Sequence, residues 1–105
     1  MAAGQVREYR LAPAALADLE QIWHFSAEQW SPDQADQYIE TLEETFRLLV
    51  LMPEMARERH EIRPPVRIQR SARHLVIYHI ENEHISILRV LGDRQDWQSV
   101  LQAED

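Results

Sequence analysis

The chain has 105 residues, 45% of them apolar and 28% charged, with a formal net charge of −7. That length holds one domain, residues 1–105, around one modest core, and the composition excludes a disordered, collagen-like or low-complexity chain. Cysteine is absent, which removes disulfide frameworks, zinc–thiolate sites and cysteine nucleophiles. The excess of acid speaks against direct DNA or RNA binding.

The opening residues, Met1-Ala2-Ala3-Gly4-Gln5, show no basic segment followed by an apolar run. The longest strongly apolar stretch, Leu48 to Met52, is far short of a membrane span. A cytoplasmic protein without membrane attachment is expected.

Gln5 to Leu11 reads as a short strand, with Val6, Tyr9 and Leu11 among polar neighbours. Pro13 suits the first turn of a helix, and from Ala14 to about Trp30 the residues Leu16, Leu19, Ile22, Trp23 and Trp30 recur at helical spacing. Trp23 and Trp30 are read as packing residues between the helices and the sheet. Ser31-Pro32-Asp33-Gln34 is a second helix start: Ser31 caps, Pro32 takes the first position, and Gln34 sits where a capping box wants it. This helix runs to about Leu51 on a stripe of Ala35, Tyr38, Ile39, Leu42, Phe46 and Leu49, and Pro53 marks its end. So short a break predicts an antiparallel αα-hairpin. Glu54 to Glu61 reads as a mobile charged connection.

The period then changes from helical to alternating. Val66–Arg70, His74–Ile80 and Ile85–Leu91 are rich in Ile, Val, Leu and Tyr and are separated by Ser71-Ala72 and Asn82-Glu83, which read as hairpin turns. Asp93 to Leu101 suggests a short terminal helix. The expected architecture is α+β, in the order β-α-α-β-β-β: an N-terminal strand joining the sheet edge, the helical hairpin on one face of a small antiparallel sheet, and a short C-terminal helix.

Two-residue turns fix a register. One sheet face then carries Val66, Ile68, Leu75, Ile77, Leu88 and Val90, and is expected beneath the helices. The other carries Arg67, Gln69, His74, Val76, Tyr78, Ile80, Ile85, Ile87, Arg89 and Leu91. Its mixture of aliphatic groups and arginine suggests a docking surface, unless the C-terminal segment covers it.

The charge is unevenly divided. Residues 1–56 hold three arginines and ten acids, whereas residues 57–105 hold eight of each. Arg63 to Ile80 contains Arg63, Arg67, Arg70, Arg73, His74 and His79 and no acid, so the sheet end is locally basic. All basic residues are arginine, a side chain suited to carboxylate and phosphate recognition.

Catalytic motifs are sparse. His24 and Glu28, four apart, read as a surface pair, and His74 and His79 point to opposite faces of a strand, so no metal and no cofactor is expected. No Gly-rich phosphate loop or nucleophile elbow is present. A metal-independent ribonuclease would need base, acid and phosphate-stabilising groups, which His74, Tyr78, Arg67 and Arg89 would supply.

Ordered motifs along the chain carry a resemblance. Tyr9-Arg10-Leu11-Ala12-Pro13-Ala14-Ala15-Leu16-Ala17-Asp18-Leu19, then Ile22-Trp23, is followed by Ala35-x-x-Tyr38, Phe46-x-x-Leu49 and Pro53. His74-Leu75-Val76-Ile77-Tyr78, Ile87-Leu88-Arg89-Val90-Leu91 and Arg94-x-Asp96 complete the set, from about Tyr9 to Trp97. In this order the sequence resembles the ParE/RelE toxin superfamily of bacterial type II toxin–antitoxin systems, closer to the ParE branch. The Leu-His-x-Arg-Met-Asp pattern of that branch reads here Leu91-Gly92-Asp93-Arg94-Gln95-Asp96, with Gly92 for the histidine and Gln95 for the methionine.

The resemblance implies a toxin that inhibits DNA gyrase by protein contact and forms a hetero-oligomer with a cognate ParD-like antitoxin, a ribbon-helix-helix protein with an acidic tail. Arg67, Arg70, Arg73, His74, Tyr78, Ile87 and Arg89 are the expected partner-binding residues; Arg94, Asp96 and Trp97 form the toxicity-associated C-terminal motif. The alternatives are a RelE-like ribosome-dependent mRNA endoribonuclease, or a non-toxic remnant that only binds antitoxin. RelE-like enzymes typically carry a tyrosine near the C-terminus; here no tyrosine follows Tyr78, and Trp97 stands near that place.

Overall fold

Two prolines set the starts of the long helices in the computed structural model, which describes residues 5–102. Helix α1 (Pro13–Gln29) follows strand β1 (Glu8–Leu11), and α2 (Pro32–Leu51) follows after Trp30 and Ser31. The Ser31 hydroxyl accepts a hydrogen bond from the Gln34 amide at 3.1 Å, as the sequence predicts, a cap worth about 1 kcal/mol. Asp33 in the first turn suits the positive end of the helix dipole. The helix ends at Met52, whose amide closes on the Leu48 carbonyl, just before Pro53.

The rest of the chain forms β2 (Glu58–Arg59), β3 (Val66–Ser71), β4 (His74–Ile80), β5 (His84–Gly92) and α3 (Trp97–Gln102). The sheet runs β1-β5-β4-β3-β2 and is mixed. Strand β1 pairs with β5 in parallel, Tyr9 opposite Ile85 and Leu11 opposite Ile87; the other pairings are antiparallel. A parallel pair needs a crossover connection, and the helical hairpin lies within the one that joins them. Strand β2 corrects the reading of Glu54–Glu61 as a mobile connection: Glu58 and Arg59 pair with Arg67 and Val66.

The β3–β4 turn is Ala72-Arg73, one residue later than predicted, because Ser71 pairs with His74. The β4–β5 turn falls at Asn82-Glu83 as predicted, with the Glu81 amide bonded to the His84 carbonyl. A β-bulge then intervenes: Tyr78 pairs with Ile87 but Ile77 with Arg89, so Leu88 is the extra residue on β5.

These details correct the assignment of the sheet faces. Val76, Tyr78, Ile85, Ile87 and Val90 lie under the helices, in one core with Ala15, Leu19, Leu42, Phe46 and Leu49. Ile62, Val66, Ile77 and Leu91 form a second core on the opposite face, against Ile68, Leu88, Trp97, Val100 and Leu101. The face expected to be a docking surface is therefore mostly the helix-covered one. Its arginines are accommodated because each has a specific acceptor: Arg67 Nη1 donates to the Ala56 carbonyl at 2.7 Å, and Arg89 is held by Asp18 on α1. A buried charge is tolerated when it is paired and hydrogen-bonded. The Leu88 bulge exchanges the faces of Val90 and Leu91. Among the described residues no helix is long and apolar enough to cross a membrane.

Candidate functional site: a cleft between helix α1 and the β4–β5 ladder

Asp18 organises the site. Its carboxylate, buried on α1 one turn past Ala15, accepts from Arg89 Nε at 2.7 Å, Arg89 Nη2 at 2.9 Å and the Val90 amide at 2.9 Å. This two-pronged pair ties α1 to β5 where the bulge ends. The Asp18 hydrogen bond raises the Arg89 pKa above its ordinary range, so the guanidinium stays charged.

Beside this pair opens a cleft of about 500 Å³, lined by Ile22, Phe25 and Trp30 from α1 and its end, Tyr38 from α2, and Arg73, His74, Arg89 and Gln95 from the sheet side. Phe25 and Trp30 are each 60% exposed, so their rings form an apolar wall open to solvent. Trp30 therefore does not pack on the sheet as expected, and Trp23 instead donates from Nε1 to Asp36 across the hairpin at 2.8 Å.

A second polar cluster fixes the cleft's inner edge. The Arg73 amide donates to Tyr38 Oη at 3.1 Å, and Tyr38 Oη lies 2.7 Å from His74 Nδ1. The hydroxyl donates to Nδ1 when the ring carries its proton on Nε2, and accepts from Nδ1–H in the other tautomer. Burial pushes the His74 pKa down, against the opposing pull of Asp93 and Asp18, and so favours the neutral ring. Burial likewise raises the Tyr38 pKa.

Of the predicted partner-binding residues, Arg73, His74 and Arg89 line the cleft together. Arg70 is exposed on the outer surface and bridges Asp93 at 2.6 Å. Arg67 is turned to the Ala56 carbonyl, away from the cleft lining. Tyr78 and Ile87 are fully buried beneath the helices, which corrects their placement on an accessible face. The Tyr78 hydroxyl donates to the Pro53 carbonyl at 2.8 Å, and burial raises its pKa. His74, Tyr78, Arg67 and Arg89 are thus not brought to one accessible point.

The C-terminal motif divides by role. Asp96 caps α3, accepting from the Ser99 amide and hydroxyl, which lowers its pKa. Trp97 packs against the second core, with the Arg59 guanidinium 5.5 Å above its ring. Arg94 is exposed. Of the cleft residues, the sequence pattern assigns Trp30 and Tyr38 only to packing and gives Phe25 no role. The legible signal was Asp18, a carboxylate spaced with Ala15 and Leu19 on the buried stripe of α1, which demanded a buried partner.

Comparison with known proteins places this geometry. Residues 9–97 match the family model described as ParE toxin of type II toxin-antitoxin system, parDE. Toxin ParE1 of Mycobacterium tuberculosis is 37% identical over 89 residues, covering 84% of this chain and 91% of that protein. The chain belongs to the ParE toxin family. Toxin ParE1 of Caulobacter vibrioides is 33% identical over 86 residues, covering 82% and 88% of the two chains. In fold, the chain resembles one from the chromosomal ParDE TA system from P. aeruginosa, with a TM-score of 0.73, 19% identity, and coverage of 85% and 97%.

In this ParE toxin, Gly92 lines the cleft, with its amide donating to Gln95 Oε1 at 2.9 Å. A Cβ added at Gly92 would meet only that oxygen at 3.6 Å, an ordinary contact, so the position admits a side chain.

Proposed function

We propose that this ParE toxin acts by binding and inhibiting DNA gyrase, and that a cognate antitoxin neutralises it by seating an acidic, amphipathic segment in the cleft. The carrying observation is the cleft's composition. Phe25 and Trp30 offer an exposed aromatic wall, while Arg73, exposed at the rim, supplies positive charge beside the paired Arg89 and Asp18. Apolar anchors with neighbouring carboxylates complement such a surface. The matched family's description and the ParDE name of the structural neighbour support an antitoxin partner.

Protein contact is favoured over RNA cleavage by the state of the candidate catalytic groups. The Tyr78 hydroxyl is buried against Pro53, Arg67 is held at Ala56 and Arg89 at Asp18. His74 alone of the four lines the cleft without a strong ion-pair partner, and its burial-lowered pKa disfavours the charged form. A general acid, a base and a phosphate-stabilising cation must reach one substrate together.

Supercoiling by purified gyrase tests the target: inhibition is expected at micromolar toxin, and full activity there would overturn the gyrase reading. In a translating extract, mRNA is expected to stay intact; cleavage abolished by His74→Ala would favour the ribonuclease instead. Phe25→Ala and Arg73→Glu are expected to weaken antitoxin binding at least tenfold, equivalent to about 1.4 kcal/mol.

A further inference from the structure

At the far end of the helical hairpin lies an apolar surface that the fold does not use. Leu48, Leu51, Met52 and Met55 are 40%, 79%, 52% and 37% exposed, while Phe46, Leu49 and Val50 on the same stretch serve the core. The four are neighbours along the backbone. Leu48 and Leu51 are one turn apart, the Met52 amide bonds to the Leu48 carbonyl, and the Met55 amide to the Met52 carbonyl. Clustered exposed apolar groups on a small domain mark a contact surface, and leucine and methionine side chains repack readily against different shapes.

The surrounding charge identifies the occupant. Around the tip, residues 40–57 hold four acids (Glu40, Glu43, Glu44 and Glu54) and two arginines (Arg47 and Arg57), and Arg47 is bound to Glu40 at 2.8 Å. Glu44 stands one turn before Leu48 without an ion pair among the described residues, and Glu54 adjoins Met55. A second copy would bring two such acidic surfaces together, and an acidic antitoxin tail or an anionic lipid surface is repelled in the same way. What complements the tip is a protein with an apolar socket ringed by lysine and arginine. Enzymes that hold DNA expose basic rims of this kind, because they neutralise phosphates.

We propose that the Leu48–Met55 tip is the surface through which the toxin engages such a basic-rimmed target, while the cleft serves the antitoxin. Helix α2 is 20 residues long, roughly 30 Å, so the tip and the Trp30 end of the cleft lie at opposite ends of the hairpin. This rests on the reading above that the toxin has a target besides its antitoxin.

Two double variants test it: Leu51→Asp with Met52→Asp removes the apolar contact, and Glu44→Lys with Glu54→Lys reverses the rim. All four positions are exposed, so circular dichroism and the melting temperature should stay near the parent's. Induced in a bacterial host lacking the antitoxin, both variants are expected to lose growth arrest. Both should bind purified gyrase at least tenfold more weakly, with antitoxin affinity unchanged within twofold. Undiminished growth arrest by both would overturn the proposal. So would a concentration-dependent dimer, seen by sedimentation and abolished by the aspartate variant, which would give the tip to a second copy. Growth arrest that depends on the tip although gyrase is neither bound nor inhibited supports the proposal and removes gyrase as the target.

Discussion

Asp18 and His74 each join fold to site through a few hydrogen bonds, and each makes a prediction that one substitution tests. Asp18→Asn removes the charge facing Arg89, whose side chain is only 17% exposed. Breaking a buried pair from one side costs about 3–5 kcal/mol, and slightly less is expected here, about 2–3 kcal/mol, because the pair borders the cleft. Urea titration should show a lower midpoint with the slope unchanged, and the double change Asp18→Leu with Arg89→Met should recover only part of the loss, because the buried Val90 amide loses its acceptor on Asp18. For His74 the sign follows from burial, which holds its folded pKa below the ordinary value of 6.5. The unfolded chain then binds the extra proton more readily, so this contribution is fully present above pH 6.5 and is lost as pH falls through the folded pKa. The melting temperature should therefore drop on acidification through that window, and His74→Gln should flatten this part of the profile.

The β3–β4 hairpin shows how one element depends on one backbone angle. Ala72, the first residue of the turn, has φ 54°, in the left-handed region that costs a residue with a Cβ about 1 kcal/mol or more. Two-residue hairpin turns favour this conformation because it matches strand twist. Ala72→Gly is expected to stabilise the protein by about 1 kcal/mol, raising its melting temperature by several degrees. Ala72→Val should lower it. The turn also places the cleft rim, since Arg73 follows Ala72 and its amide meets Tyr38. The bulge at Leu88 acts similarly on β5, presenting Val90 to the helices and Leu91 to the opposite core.

Across the whole molecule, the two long helices carry eight of the eighteen acids but only one of the eleven arginines, and their exposed side chains give the hairpin a negative surface that ends in an apolar tip. The cleft behind α1 is different in kind, with Arg73 and Arg89 beside two exposed aromatic rings. A net charge of −7 thus hides a cleft rim where Arg73 stands exposed and Arg89 is balanced by Asp18. Such a division suits successive partners of opposite sign, because like charges across a wrong interface are penalised.

Pro13, Ser31-Pro32 and Pro53, with their apolar stripes, determined the helical hairpin by themselves, because capping and helical period are local properties. Alternation likewise located β3, β4 and β5, and the ordered motifs from Tyr9 to Trp97 carried the family resemblance. Which sheet face the helices cover was a tertiary decision. Both faces are apolar enough to bury, and the arginines that marked one as exposed found acceptors at Ala56 and Asp18. The parallel docking of β1, the pairing of β2 and the Leu88 bulge depend on contacts distant in sequence, which no local pattern encodes. The same holds for the cleft: Phe25, Trp30, Arg73 and His74 share a site only because the ends of α1 and β4 meet in space.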